Sequence, residues 1–329
     1  MKRSQVDALL VQHGADLFWP RAVMGKMDNA GKLPLPEGRG GGDITAAAVR
    51  QRIQLVVSKA PVVMVKLTGS SRSMGAVRGH LRYLTERGEM LRDDDGREYC
   101  TPAEVKDFGD QFRYAGPPIP TEDGPRQAFH LAIGMPAGTD PHRMTEAVEA
   151  FARREFEGHR WAWAFHSHQS QPHAHLIVRA LGWRAQRLDP RKTDLHRWRE
   201  SFAQELRARG IQADASSRLV RGSLRQTEPA WVVRARNTGT LRQEAALKGR
   251  VTTREQTMRQ VITAWAHLHA ALAESPDAAD WALAVEVKDF VKSTPMLGHV
   301  VGLEVERQQE QQRQPVAQPN MHQEPGPGW

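Results

Sequence analysis

Apolar residues recur at two spacings along this chain, and the changes of spacing predict its elements. Val77, Leu81 and Leu84 repeat at three and four, so residues 76–87 read as an amphipathic helix stopped by Gly88. His80, Tyr83 and Arg87 share another face of that helix, at i, i+3 and i+7. Residues 45–59 read as a helix and 61–68 as a strand. Residues 128–135 read as a second strand. Asp140 then caps a helix that has Pro141 at its first position and Met144, Val148, Phe151, Ala152 and Phe156 along one side. The alternating run Trp161–His166 and the β-branched run Leu176–Val178 read as two strands joined by a polar turn. Leu195, Trp198, Phe202 and Leu206 mark a further amphipathic helix ending at Gly210. Met258, Val261, Ile262, Trp265, Leu268 and Leu272 mark another, and residues 279–292 read as a helix packed on it. The order predicts an α+β fold: a central, mainly antiparallel sheet with helices on its faces, plus a small C-terminal helical appendage.

The candidate chemistry sits on the two paired strands. His173 and His175 are two apart on a strand, so both project to one face while Ala174 faces away. An antiparallel hairpin returns His166 to the same place. Three imidazoles with an open position read as a catalytic metal site rather than a closed structural one. A structural zinc site, with His168 as fourth ligand, is the alternative. His267 and His269 are also two apart, but on a helix they diverge by about 200° and cannot share an ion. Upstream lies Tyr83, one of 3 tyrosines. Tyr99 in a charged turn region and Tyr114 in a Gly/Pro-rich stretch are the competing hydroxyls.

These residues resemble the relaxases, or mobilisation nucleases, of the group that includes the T-DNA border endonucleases, within the HUH endonuclease class. The resemblance rests on four motifs in order across residues 60–225. They are Val65-Lys66-Leu67-Thr68-Gly69 with His80-Leu81-Arg82-Tyr83-Leu84; His130 to Pro141; His166-Ser167-His168 with Pro172-His173-Ala174-His175; and Asp189-Pro190-Arg191-Lys192 with Trp198 to Ala203. The family usually has an acidic residue where this chain has His168.

The resemblance implies a site- and strand-specific nicking enzyme acting at an origin of transfer. Tyr83 would form a 5′-phosphotyrosyl adduct with DNA. His166, His173 and His175 would hold Mg²⁺ or Mn²⁺, with His168 in an orienting or proton-carrying role. It also implies single-stranded or supercoiled DNA as substrate. An accessory DNA-binding protein and a type IV secretion coupling protein would be its partners in conjugative transfer or mobilisation. A metal-dependent hydrolytic endonuclease and a catalytically decayed DNA-binding module are the other readings.

Charge agrees with a polyphosphate ligand. The chain has 46 Lys and Arg against 38 Asp and Glu, a net charge of +8. Residues 179–225 alone hold 12 basic and 5 acidic residues, directly after the histidine strand. Lys66, Arg82, Arg87, Arg179, Arg184, Arg187, Arg191, Lys192 and Arg199 are the candidate DNA contacts. The single cysteine, Cys100, excludes an intrachain disulfide, and no apolar run is long enough to span a bilayer. A cytoplasmic protein without membrane insertion is expected. Four segments are expected: a flexible leader over 1–42, the nicking-joining domain over 43–225, a small helical region over 226–303, and a disordered tail over 304–329.

Overall fold

The structure, a computed structural model, describes residues 1–19, 34–35, 42–86, 88–166, 171–224, 238–239 and 251–313. A short pair, β1 (Pro34–Leu35) and β2 (Gly42–Asp43), precedes the main sheet. That sheet holds β3 (Met64–Ser71), β4 (Leu91–Asp93), β5 (Glu98–Tyr99), β6 (Ala128–Gly134), β7 (Trp161–His166) and β8 (His173–Arg179). Their spatial order is β3-β6-β8-β7-β4-β5, and every neighbouring pair is antiparallel. The α+β expectation therefore holds, with the histidine strands β7 and β8 inside the sheet.

Strand alternation decides which helices cover which face. Ala174, Leu176 and Val178 of β8 point the same way as Phe129, Leu131 and Ile133 of β6 and Trp161 and Trp163 of β7. They pack under α5 (Pro141–Glu155) and α6 (Lys192–Ala208), through Met144, Val148, Phe151, Trp198, Phe202 and Leu206. The opposite face is smaller. Ala128, Ala162, Ala164, Ile177 and Leu91 meet α3 (Met74–Leu84) and α4 (Pro102–Tyr114), through Val77, Leu81, Leu84, Val105, Phe108 and Phe112. Each large side chain buried in these layers contributes about 1.5–3 kcal/mol.

The helix starts follow capping chemistry. Asp140 accepts from the backbone of His142 and Arg143 at the head of α5, ahead of Pro141, as the sequence predicts. Thr101 and Glu104 form a capping box at the head of α4, with Pro102 at the first position. That helix is absent from the sequence-based expectation, although Val105, Phe108 and Phe112 carry its stripe.

A third, all-helical layer joins distant parts of the chain. It contains α1 (Arg3–Phe18), α2 (Ala46–Val57), α7 (Val251–Ala273), α8 (Ala278–Ser293) and α9 (Pro295–Arg313). Val6, Leu10, Phe18, Val49, Ile53, Trp265, Leu268, Val287 and Phe290 form one buried cluster. Trp265 lies 5.2 Å, centroid to centroid, from Phe290, so α7 and α8 pack together as expected. Gly14 permits the contact of α1 with α2: a Cβ there would lie 2.5 Å from Val49 Cγ1. Arg52 anchors this layer to the sheet domain, pairing in the interior with Glu200 of α6 and, at 3.3 Å, with Asp214.

Two expectations on segment character change. Residues 3–18, read as part of a flexible leader, are helix α1, because its apolar side meets α7 some 250 positions away in the sequence. The tail expected from 304 begins within a helix, since α9 continues to Arg313 and Glu304 pairs with Arg259 at 2.5 Å. Among the described residues no helix is long and apolar enough to cross a membrane.

Candidate active site

The site is built from rows of side chains across the sheet. In one row Met64, Gly134, His173 and His166 stand side by side on neighbouring strands. In the next row stand Lys66, Ala132, His175, Ala164 and Leu91. Both rows face the α3 side, because their residues alternate with those of the α5–α6 core. Gly134 and Ala132 keep the neighbourhood of the histidines open. A Cβ on Gly134 would sit 2.9 Å from Met64 Cε and 3.3 Å from His173 Cβ.

The three imidazoles converge as the sequence predicts. One ligand atom from each of His166, His173 and His175 lies within 4.8 Å of the other two. Ring centroids are 4.7 Å apart for His166–His175, 5.3 Å for His166–His173 and 5.2 Å for His173–His175. His173 Nδ1 is 3.0 Å from the carbonyl oxygen of Gln171. A carbonyl only accepts, so Nδ1 carries the proton and Nε2 keeps its lone pair for a ligand. Three nitrogen donors on one face, with a cavity above them, fit a divalent metal ion.

Tyr83 closes over this cluster. The stripe of α3 is buried as predicted, and the tyrosine on its flank is 49% exposed. Its ring centroid lies 5.8 Å from that of His175 and 6.4 Å from that of His166. Tyr83, the three histidines, Lys66, Met64, Thr68, Ala132, Glu86 and Glu89 line a single open cavity of about 370 Å³. The two glutamates were not foreseen. Glu86 follows Tyr83 at i+3, a spacing that could have disclosed it; Glu89 lies past the helix stop and carries no local signal.

A second imidazole pair supports the tyrosine. His80 and His130 are stacked at 3.5 Å between centroids and 5° between planes, and His80 lies 5.8 Å from the Tyr83 ring. His130 Nε2 is 2.9 Å from Ser71 Oγ. Burial, together with the neighbouring His130 and His175, depresses the pKa of His80 to about 3. Burial alone depresses that of His130 to about 4. Both are therefore neutral at pH 7.

The competing tyrosines are placed elsewhere. The Tyr99 hydroxyl donates to Asp93 Oδ2 at 2.8 Å, and burial with that hydrogen bond pushes its pKa up to about 12. Tyr114 ends α4, where Arg179 bonds to the carbonyls of Phe112 and Arg113, at the end of β8 opposite His173. Neither shares the histidine cavity.

The basic residues divide sharply. Lys66 lines the cavity, and Arg82 is exposed on α3 beside Tyr83. Arg87 and His168 lie outside the described residues. Arg179 is a correction: it is 1% exposed, and its guanidinium donates to the carbonyls of Phe112 at 2.8 Å, Arg113 at 3.2 Å and Pro117. It braces the end of α4 and has no surface to offer DNA. Arg199 is half-buried on α6, and burial lowers its pKa. Arg184, Arg187, Arg191 and Lys192 are exposed, but they follow the far end of β8. That strand advances about 3.3 Å per residue, which puts its end about 20 Å from His173. The first part of the basic segment thus leaves the histidines behind, whereas its later part returns to the start of β3, where Asp214 bonds to the backbone of Pro61 and Val63.

A tyrosine ring beside a three-imidazole, metal-capable cluster, in one cavity on an antiparallel sheet, has the groups that phosphodiester cleavage calls for. Residues 90–211 match the family model described as Relaxase: MobA/VirD2-like, nuclease domain, and this similarity supports the resemblance to relaxases and mobilisation nucleases. The match runs from β4 to just beyond α6 and includes all three histidines, while Tyr83 precedes it by seven residues. No curated protein matches the chain.

Proposed function

We propose that this protein nicks one strand of DNA at an origin of transfer by tyrosine transesterification, initiating conjugative transfer or mobilisation. The observation that carries the reading is the position of Tyr83 over His166 and His175 in a shared cavity. The Tyr83 oxygen forms a bond to phosphorus as the bond from phosphorus to the 3′ oxygen breaks. The phenol gives up its proton, and the departing 3′ oxygen takes one up. The product is a 5′-phosphotyrosyl link and a free 3′-hydroxyl, a linkage that the same enzyme can reverse.

A free phenol has a pKa near 10, so the hydroxyl needs a polarised phosphate to attack. His166, His173 and His175 would hold Mg²⁺ or Mn²⁺, which supplies Lewis-acid polarisation of a non-bridging oxygen when bound. His80, stacked on His130, supports the tyrosine ring on its protein side. Lys66 presents its ammonium group to the same phosphate. His168 orients a neighbouring histidine or carries a proton.

Residues 43–225 form the nicking-joining unit in this reading, and 226–303 a small helical region. The substrate is single-stranded or supercoiled DNA at the origin, met in the cytoplasm with an accessory DNA-binding protein and a type IV secretion coupling protein. The test uses supercoiled DNA carrying the intergenic region beside this gene, with Mg²⁺ or Mn²⁺ and a detergent stop. A metal-dependent nick with protein attached, lost in Tyr83→Phe, is expected. Cleavage that persists in Tyr83→Phe without an adduct would instead make the enzyme a hydrolytic nuclease.

A further inference from the structure

The turn that follows β8 carries an exposed tryptophan without a packing role. Trp183 is 55% exposed. Its turn is held firmly at several points. Trp183 N donates to the carbonyl of Gly158 at 2.9 Å, and Gln186 Nε2 donates to the same oxygen at 2.9 Å. Gly182 N donates to Gln186 O at 2.9 Å, Leu181 bridges Arg187, and Ala185 takes the left-handed conformation at φ 58°. The indole is thus presented on a fixed scaffold rather than on a loose loop.

Its surroundings are cationic. Arg184 and Arg187 flank it and are exposed. Arg187 Nη2 donates to the backbone carbonyl of Arg126 at 2.7 Å, so the exposed residue Arg126 adjoins the same rim. Among the described residues no carboxylate lies within 4.0 Å of the charged groups of Arg126, Arg184 or Arg187. Arg191 and Lys192 follow, the former paired with Asp189 at 3.6 Å. An indole face amid unpaired guanidinium groups suits an unpaired nucleobase with phosphates on either side, because stacking is indifferent to sequence and the cations track the backbone.

We propose that the Trp183 turn is a second DNA contact, which stacks a base of the bound strand well away from the scissile phosphate. This rests on the nicking function above and deepens it. The length of β8 places the contact about 20 Å from the histidines. Trp183 and its arginines would therefore set the length and register of the strand the enzyme holds, and the cavity would carry the chemistry.

The test is fluorescence anisotropy with labelled oligodeoxythymidylate in two lengths at low salt. The short strand fills the histidine cavity alone; the long strand reaches the turn. Trp183→Ala should weaken the long-strand complex about 10-fold and leave the short-strand complex unchanged. Trp183→Phe should recover most of the loss. The double variant Arg184→Ala, Arg187→Ala should flatten the salt dependence for the long strand only. Equal affinity of Trp183→Ala and wild type for the long strand overturns the second contact, and covalent nicking that survives in that variant leaves the active-site reading standing. Equal losses on both lengths overturn it as well, because the effect would then be general. If the wild type binds neither strand, the nuclease reading falls and takes this contact with it.

Discussion

Replacing Arg179 separates a structural role from a nucleic-acid role at a residue that the sequence presents as a DNA contact. Its guanidinium is buried and satisfies three carbonyls at the end of α4. Arg179→Met keeps much of the stem and removes the fork, leaving those carbonyls without a donor. At about 1 kcal/mol for each lost interaction, the cost is about 3 kcal/mol. For a domain of this size that corresponds to a fall of about 6–12 °C in the melting midpoint. Arg179→Lys should fall nearly as far, because a single ammonium cannot reach three carbonyls in the geometry of the fork. The assay is thermal unfolding followed by circular dichroism, with DNA affinity measured well below the transition. The expected result is a large loss of stability with affinity unchanged. An unchanged midpoint with a weaker DNA complex would refute the bracing role and make Arg179 a phosphate contact after all.

Three further outcomes follow from the same geometry. Gly134→Val should displace His173, whose Cβ lies 3.3 Å from the added atom, and so weaken Mn²⁺ binding in titration calorimetry by about 10-fold or more while the fold persists; unchanged affinity would show that His173 is not a ligand. Arg52→Met strands Glu200 in the interior, while Asp214 keeps Arg221 at 2.6 Å, and should destabilise the protein by about 3–5 kcal/mol in urea unfolding; a loss below about 1 kcal/mol would show that the helical layer is not anchored there. His80 and His130 have folded pKa values of about 3 and about 4, below the ordinary 6.5, so the unfolded chain takes up protons first and stability falls as pH drops from about 6.5 toward 4. The double variant His80→Phe, His130→Phe should show a shallower fall over that window in urea midpoints, and a fall as steep as in wild type would mean that the imidazole pair is not buried as a neutral stack.

The histidine cluster was legible because strand periodicity acts locally. Two residues apart on a strand fixes a common face, and one hairpin suffices to return His166. Tyr83 was legible from helical spacing, since the buried stripe of Val77, Leu81 and Leu84 leaves it on the open flank. The antiparallel sheet followed from the same alternation. What failed to appear depended on contacts across long separations. Helix α1 is ordered by α2 and by α7, near the other end of the chain, and no local pattern announces that. The charge-rich run after His175 looked like the wall of the active site, yet β8 carries its exposed first members, Arg184 and Arg187, past the strand end opposite His173. Arg179 looked like one more cation in that run, while its inward direction on β8 decides that it binds carbonyls. Helix α4 does carry a local signal, the capping pair Thr101 and Glu104 with Pro102 at the first position.

The most direct test of the central claim is to find the covalent link itself. The protein is incubated with its nicked DNA and metal, digested with nuclease and protease, and mapped by mass spectrometry. The account predicts a nucleotide joined through phosphate to the peptide carrying Tyr83, with no modification on the peptides carrying Tyr99 or Tyr114. A nucleotide on another residue, or cleaved DNA with every tyrosine unmodified, would contradict it.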